Sequence, residues 1–193
     1  MLDALRTPLE EGVVRVCRAK ASVSYPARFL LVGATNPCPC GEWPTATCRC
    51  TDLSRARYAR RLSGPLVDRF DLRVLVRRPE VSALLSGRTA EPSEPVAARV
   101  AAARARCAER GVPCNAELPA DRLDELAPLA DDGVHLLEHR LRAGTLSARG
   151  LHRVRRVART LADLSDGPDE LGEEHVGLAL ALRADPTCDE VTV

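Results

Sequence analysis

The sequence predicts an α/β segment followed by an all-helical bundle. Three observations carry that expectation. Short β-branched and apolar runs, separated by turn residues, are confined to residues 1–78. Residues 79–95 contain three Pro and few large apolar side chains, as a linker does. Beyond it, apolar positions recur only at helical spacing.

The chain has 193 residues, 45% hydrophobic and 28% charged, which suits one ordinary domain or two small ones with a real core. That composition excludes disordered, collagen-like and coiled-coil classes. The longest apolar run, Phe29 to Ala34, is far too short to cross a bilayer, and Met1-Leu2-Asp3 opens no secretory signal. A cytoplasmic location with no membrane partner is therefore expected. Of the 28 basic residues only Lys20 is Lys, and the net charge of +1 hides segregation. Arg49 to Arg78 holds nine Arg and three Asp, Arg140 to Arg159 seven Arg and no acid, and Asp163 to the end nine acids and one Arg. Such patches suit nucleic acid or nucleotide phosphates.

The elements follow in order. Leu2, Leu5 and Leu9 at helical spacing predict a first helix that stops at Gly12. Val13–Cys17 and Ser22–Tyr25 read as the strands of a hairpin, with Arg18 and Lys20 near its tip. Phe29–Ala34 reads as a buried central strand, and a Cys-rich insert fills 37–50. A short basic helix, Leu53 to Leu62, is broken by Ser63-Gly64-Pro65, and Leu72–Val76 is a further strand. After the linker, helices are predicted over Val96–Arg110, Asp121–Leu129 with Asp121 as N-cap, Val134–Arg142, Ser147–Leu164 and Glu173–Arg183. These make a helical domain over 96–185, with a tail over 186–193.

Several chemistries are excluded. The sequence holds no Walker A loop, no Gly-x-Ser-x-Gly, no His-Glu-x-x-His and no Gly-x-Gly-x-x-Gly. Eight Cys in a cytosolic chain argue against a disulfide framework. Four of them, Cys38, Cys40, Cys48 and Cys50, lie within thirteen residues as two Cys-x-Cys pairs. Seven intervening residues let a turn bring the pairs together, and four thiolates suit a structural Zn²⁺. The competing reading is a redox-active or incidental Cys-rich loop.

Three polar residues are singled out. Asn36 follows the predicted central strand, at the sheet edge where α/β folds bind ligands, although such an Asn also serves as a turn residue or cap. Arg69 sits in a rigid turn from which a guanidinium can grip an anion, but residue types alone favour an ion pair with Asp68 or Asp71. Arg149 opens a helix at the end that disfavours cations, and with Arg153 and Arg156 it makes a basic stripe. The stripe reads either as a ligand surface or as a solvated face.

Taken together, Asn36-Pro-Cys-Pro-Cys-Gly41, Ser63-Gly-Pro-Leu-Val-Asp-Arg-Phe-Asp-Leu72, Leu146-Ser-Ala-Arg149 and Arg156-Val-Ala-Arg-Thr-Leu-Ala-Asp163 resemble the magnesium-chelatase-like AAA+ ATPases of the ComM/YifB type. The resemblance runs from Leu2 to about Arg183. It implies a partial AAA+ P-loop sheet layer over 1–78 and a helical lid over 96–185. It implies that Asn36 is sensor 1, Arg69 the arginine finger, and Arg149 the sensor 2 residue that follows the nucleotide's phosphates. Arg18 and Lys20 then fall on the pre-sensor 1 hairpin that faces DNA. ATP and Mg²⁺ are the implied cofactors of the complete enzyme, and a homo-oligomeric ring, hexameric by the resemblance, is its implied assembly. The implied activity couples ATP hydrolysis to DNA remodelling or branch migration in recombination or transformation. The alternatives are a magnesium-chelatase-like ATPase subunit and a non-enzymatic DNA-binding fragment. Family members carry Walker A and Walker B elements that this sequence lacks, so the chain alone is expected to be inactive.

Overall fold

The structure, a computed structural model, describes residues 2–19, 21–76, 79, 81–86 and 91–183, the side chains of 83 and 84 excepted. Lys20, the tail 186–193 and parts of the linker 79–95 lie outside the described residues. The chain divides into two units between Phe70 and Asp71.

In the first unit a 3₁₀ turn over Leu2–Leu5 leads into α1 (Arg6–Glu11). Gly12 ends the helix at φ 66°, the left-handed conformation that a Cβ penalises. β1 (Val13–Arg18) and β2 (Ala21–Pro26) pair antiparallel, with Val14 opposite Tyr25 and Val16 opposite Val23. After the Cys-rich loop comes α2 (Asp52–Ala59), capped by the Thr51 hydroxyl accepting from the Ser54 N–H at 3.2 Å. Ser63 caps α3 (Gly64–Val67) in the same way at 3.3 Å, with Pro65 in the first turn. Among the described residues of this unit only Cys38 and Leu66 are buried.

Two expected strands are absent. Phe29–Ala34 and Leu72–Val76 are irregular, and Leu30, Val32 and Val76 are 88%, 81% and 86% exposed. A strand satisfies its N–H and C=O groups through a neighbouring strand, and among the described residues neither segment has one, although the Arg73 N–H donates to the Leu182 carbonyl at 2.6 Å. Among the described residues there is one two-stranded sheet, and the remaining regular elements are helices, compatible with a partial AAA+ fold.

The second unit contains α4 (Val81–Leu85), inside the expected linker, then α5 (Ser93–Glu109), α6 (Leu123–Leu126), α7 (Asp131–Arg142), α8 (Ala148–Leu164) and α9 (Glu173–Ala181). The helix expected over Asp121–Leu129 is shorter. A 3₁₀ turn over Ala120–Arg122 precedes the single turn α6, and Asp121 does not cap it. Pro128 bars Ala127 from the helical region, and Ala127 leaves it at φ −144°. The freed chain makes a short parallel bridge, Leu129 to Leu171.

α8 is the axis of the core. Val154, Ala158 and Ala162 are fully buried against Leu118, Leu123, Leu137, Leu171, Val176 and Ala179. Its Ser147 cap accepts from the Gly150 N–H at 3.1 Å. The same helix also buries Arg155, Arg159 and Asp163, whose charged groups are held by the fold, while the Arg155 Nε has no hydrogen-bond partner among the described residues. Arg155 donates to the Leu123 and Ala127 carbonyls, both at 2.8 Å, and pairs with Asp124. Asp163 accepts from Arg110, from Arg159 and from the Asn115 amide. Burial of such charges is tolerated because each is paired.

Candidate functional site

The four clustered cysteines come together. Short turns drive this: Gly41 takes φ 81° and its N–H donates to the Cys38 carbonyl, and the Cys48 N–H donates to that of Thr45. The Cys38 sulfur lies 3.3 Å from that of Cys40 and 3.8 Å from that of Cys48, with Cys40 to Cys48 at 3.7 Å. All four Sγ atoms lie within 4.8 Å of one another. A tetrahedral Zn–S₄ centre with bonds of about 2.3 Å has S···S edges of about 3.8 Å, so the donor set and its spacing fit a metal of this kind.

The thiols are not equivalent. Burial pushes the Cys38 thiol up, but the Trp43 N–H and the thiols of Cys40 and Cys48 outweigh it and leave it at about 6. The Glu42 N–H lowers Cys40, whereas hydrogen bonding to Cys40 pushes Cys50 up to about 11. A neighbouring clamp steadies the loop. The Arg55 guanidinium stacks 3.9 Å from the Trp43 ring centre, donates to the Cys50 carbonyl at 2.7 Å and pairs with Asp52. Sequence reasoning missed this clamp, for which the only Trp of the chain, inside the Cys-rich insert, was the available signal.

The phosphate-facing candidates stand as follows. Asn36 is exposed in the irregular segment after the apolar run, with its amide near Gly41. The preceding Thr35 hydroxyl shares a 3.3 Å hydrogen bond with Tyr58 of α2. Arg69 is half-buried just after α3. Its Nε donates to the Arg6 carbonyl at 3.3 Å, another nitrogen donates to the Pro65 carbonyl at 2.5 Å, and it pairs with Glu10. Glu10 is 59 residues away in sequence, so no local pattern announced it.

Arg18 is exposed at the end of β1, beside the tip. Arg149 is exposed in the first turn of α8. The stripe expected to run on from it does not continue as a free basic surface. Arg153 pairs with Asp71 at 2.7 Å, and Arg156 donates to the Leu118 carbonyl at 2.6 Å. Both are spent on joining segments of the second unit.

Residues 1–84 match the family described as magnesium chelatase, subunit ChlI, and residues 90–183 match its C-terminal counterpart. The chain belongs to the magnesium-chelatase-like family. It is 39% identical over 185 residues to the competence protein ComM of Haemophilus influenzae, covering 95% of this chain and 36% of that protein. Identity to YifB of Escherichia coli is 39% over 186 residues, again covering 95% of this chain and 36% of the relative. A Mycobacterium tuberculosis protein is 41% identical over 186 residues, 94% of this chain and 37% of its own length. The chain thus spans little more than a third of these relatives. No described helix is long and apolar enough to cross a membrane.

Proposed function

We propose that this chain supplies the sensor, arginine-finger and lid portion of a magnesium-chelatase-like ATPase that drives DNA remodelling or branch migration as a homo-oligomeric ring. The observation that carries the reading is the collinear likeness, across 95% of the chain, to a relative named as a competence protein. Several features agree with it. Asn36, Arg69 and Arg149 are polar or cationic groups of the kind that position a phosphoryl transfer and stabilise its charge. Arg18 stands exposed beside a hairpin tip, open to a polyanion.

The chain's own residues do not make a triphosphate site. There is no glycine-rich cradle with its Lys, and the Mg²⁺ ligands of the family lie in elements this sequence lacks. ATP and Mg²⁺ therefore belong to the complete protein, with this chain facing them. The four clustered thiolates hold a structural Zn²⁺ in this reading, fixing a loop in a unit with almost no buried side chains of its own.

The test joins this chain behind the remaining portion of the Haemophilus influenzae relative. ATP turnover stimulated by DNA supports the reading; turnover that DNA leaves unchanged sinks it. The second reading, a magnesium-chelatase-like ATPase subunit acting on a metal-inserting partner, is favoured by the two family descriptions, and it predicts that second outcome. A non-enzymatic DNA-binding fragment would bind DNA with no turnover in the joined protein.

A further inference from the structure

We propose that the exposed face of α2 is a second contact for a nucleic-acid phosphate backbone, distinct from the hairpin tip; this rests on the DNA part of the reading above.

The two Arg-rich stretches of this chain are used in opposite ways. On α8, Arg153, Arg155, Arg156 and Arg159 are all engaged with carboxylates or backbone carbonyls of the fold. On α2 and the turn that follows it, Arg57, Arg60 and Arg61 are exposed. Among the described residues the side chains of Arg57 and Arg60 meet no carboxylate or carbonyl, and Arg61 only stands over the Tyr58 ring at 5.2 Å. Arg49, between two of the clustered cysteines, is exposed as well.

The local sequence is strongly basic. Between Trp43 and Val67 the sequence holds one acid, Asp52, and Arg55 already occupies it. Arg57 is four residues after Leu53, and Arg60 and Arg61 follow it by three and four in the turn that ends the helix, so they extend one face. Like charges at that spacing repel and destabilise a helix. A repulsive face kept on a rigid element suits a polyanion that relieves it. The face is rigid for identifiable reasons: the Thr51 cap, the Tyr58–Thr35 hydrogen bond and the Arg55–Trp43 stack fix α2 to its surroundings. Forked guanidinium groups match phosphate oxygens in geometry, and Leu53 is the one apolar side chain among them. The ligand chemistry is accordingly backbone phosphate, read without regard to base sequence.

The test compares Arg57→Gln/Arg60→Gln/Arg61→Gln with a control of equal charge change, Arg99→Gln/Arg122→Gln/Arg142→Gln. The control arginines are exposed but already hold Glu91, Glu125 and Glu138. Binding of fluorescein-labelled mixed-sequence duplex DNA is followed by anisotropy through a salt series. The α2 variant should lower the slope of log K against log salt by roughly 0.9 per lost phosphate contact, and the control should keep the parental slope. The charge-retaining Arg57→Lys/Arg60→Lys/Arg61→Lys should also keep it, and unchanged Trp43 emission shows that the loop is intact in each. Equal weakening in both Gln variants means bulk charge alone and overturns the proposal. So does an α2 variant with parental affinity and slope, a parent that binds no DNA, or a parent that binds tripolyphosphate but not DNA. If Arg18→Ala removes binding while the α2 variant is silent, this inference fails and the DNA reading stands.

Discussion

Cys38 is fully buried, whereas Cys40 is exposed, so a metal in this loop would be covered on one side and open to water on the other. Replacing Cys38 and Cys48 by Ser removes two of four donors. Protein purified without chelators should carry about one Zn²⁺ per chain, and the double variant none, by elemental analysis. Protons compete for the same sulfurs. Cys38 sits at about 6, below the ordinary thiol value, so it is a thiolate at neutral pH and takes a proton as the pH falls through 6. Cys50, pushed up to about 11, must give up its proton to bind metal, so zinc uptake should release protons and zinc retention should weaken as the pH falls, read with a chromogenic chelator across a pH series. Gly133 is a second single-residue case. A Cβ there would stand 2.4 Å from the Leu171 carbonyl oxygen, which is backbone and cannot swing aside. Gly133→Ala should cost about 1–3 kcal/mol by urea denaturation. The cysteine cluster was legible because its spacing is local. The Gly133 contact and the Glu10–Arg69 pair were not, because each joins residues far apart in the chain.

On the scale of an element, α8 shows what periodicity reveals and what it hides. The recurrence of Leu151, Val154, Ala158, Leu161 and Ala162 predicts the buried stripe, and the structure buries Val154, Ala158 and Ala162 completely and Leu151 and Leu161 in part. Arg155, Arg159 and Asp163 also recur four residues apart, and a reading that tracks only apolar positions leaves them outside the core. The Asp163 side chain is wholly buried, and Arg159 donates to it and to the carbonyls of Pro168 and Asp169. Removing one partner leaves the other charges buried and unpaired. Asp163→Ala should cost about 3–5 kcal/mol, whereas Glu138→Ala, which breaks an exposed pair with Arg142, should cost less than about 1 kcal/mol. Urea midpoints of the two variants check the contrast. The strands over Phe29–Ala34 and Leu72–Val76 failed for the complementary reason. Their apolar composition was read correctly, but a strand is a property of a pair, and composition names no partner.

At the scale of the whole molecule, the chain carries, in the proposed reading, groups suited to a transition state, and its sequence holds none of the glycine-rich cradle that binds a triphosphate. It should hydrolyse no ATP alone, as a phosphate-release assay will show. In the protein joined to the rest of the Haemophilus influenzae relative, the two arginine candidates should separate kinetically. A trans-acting arginine offsets charge that develops only as the γ-phosphate departs, and where such fingers are best understood they contribute on the order of 10³–10⁵ in rate. Arg69→Ala should accordingly abolish most turnover and leave ATP affinity near the parental value. Arg149→Ala should weaken nucleotide binding too, since a lid contact is made before the transition state. One complication is specific to this chain. Arg69 also fastens α1 to α3 through the Arg6 and Pro65 carbonyls and Glu10, so its loss could act by loosening the first unit. The two causes leave different marks. A loosened unit lowers the melting temperature and the metal content together with turnover. A missing finger lowers turnover alone, and mixing the variant with parental subunits restores activity at the sites that parental Arg69 completes. If Arg69→Ala turns over ATP at the parental rate in the assembled protein, Arg69 serves only to hold Glu10 and the two carbonyls.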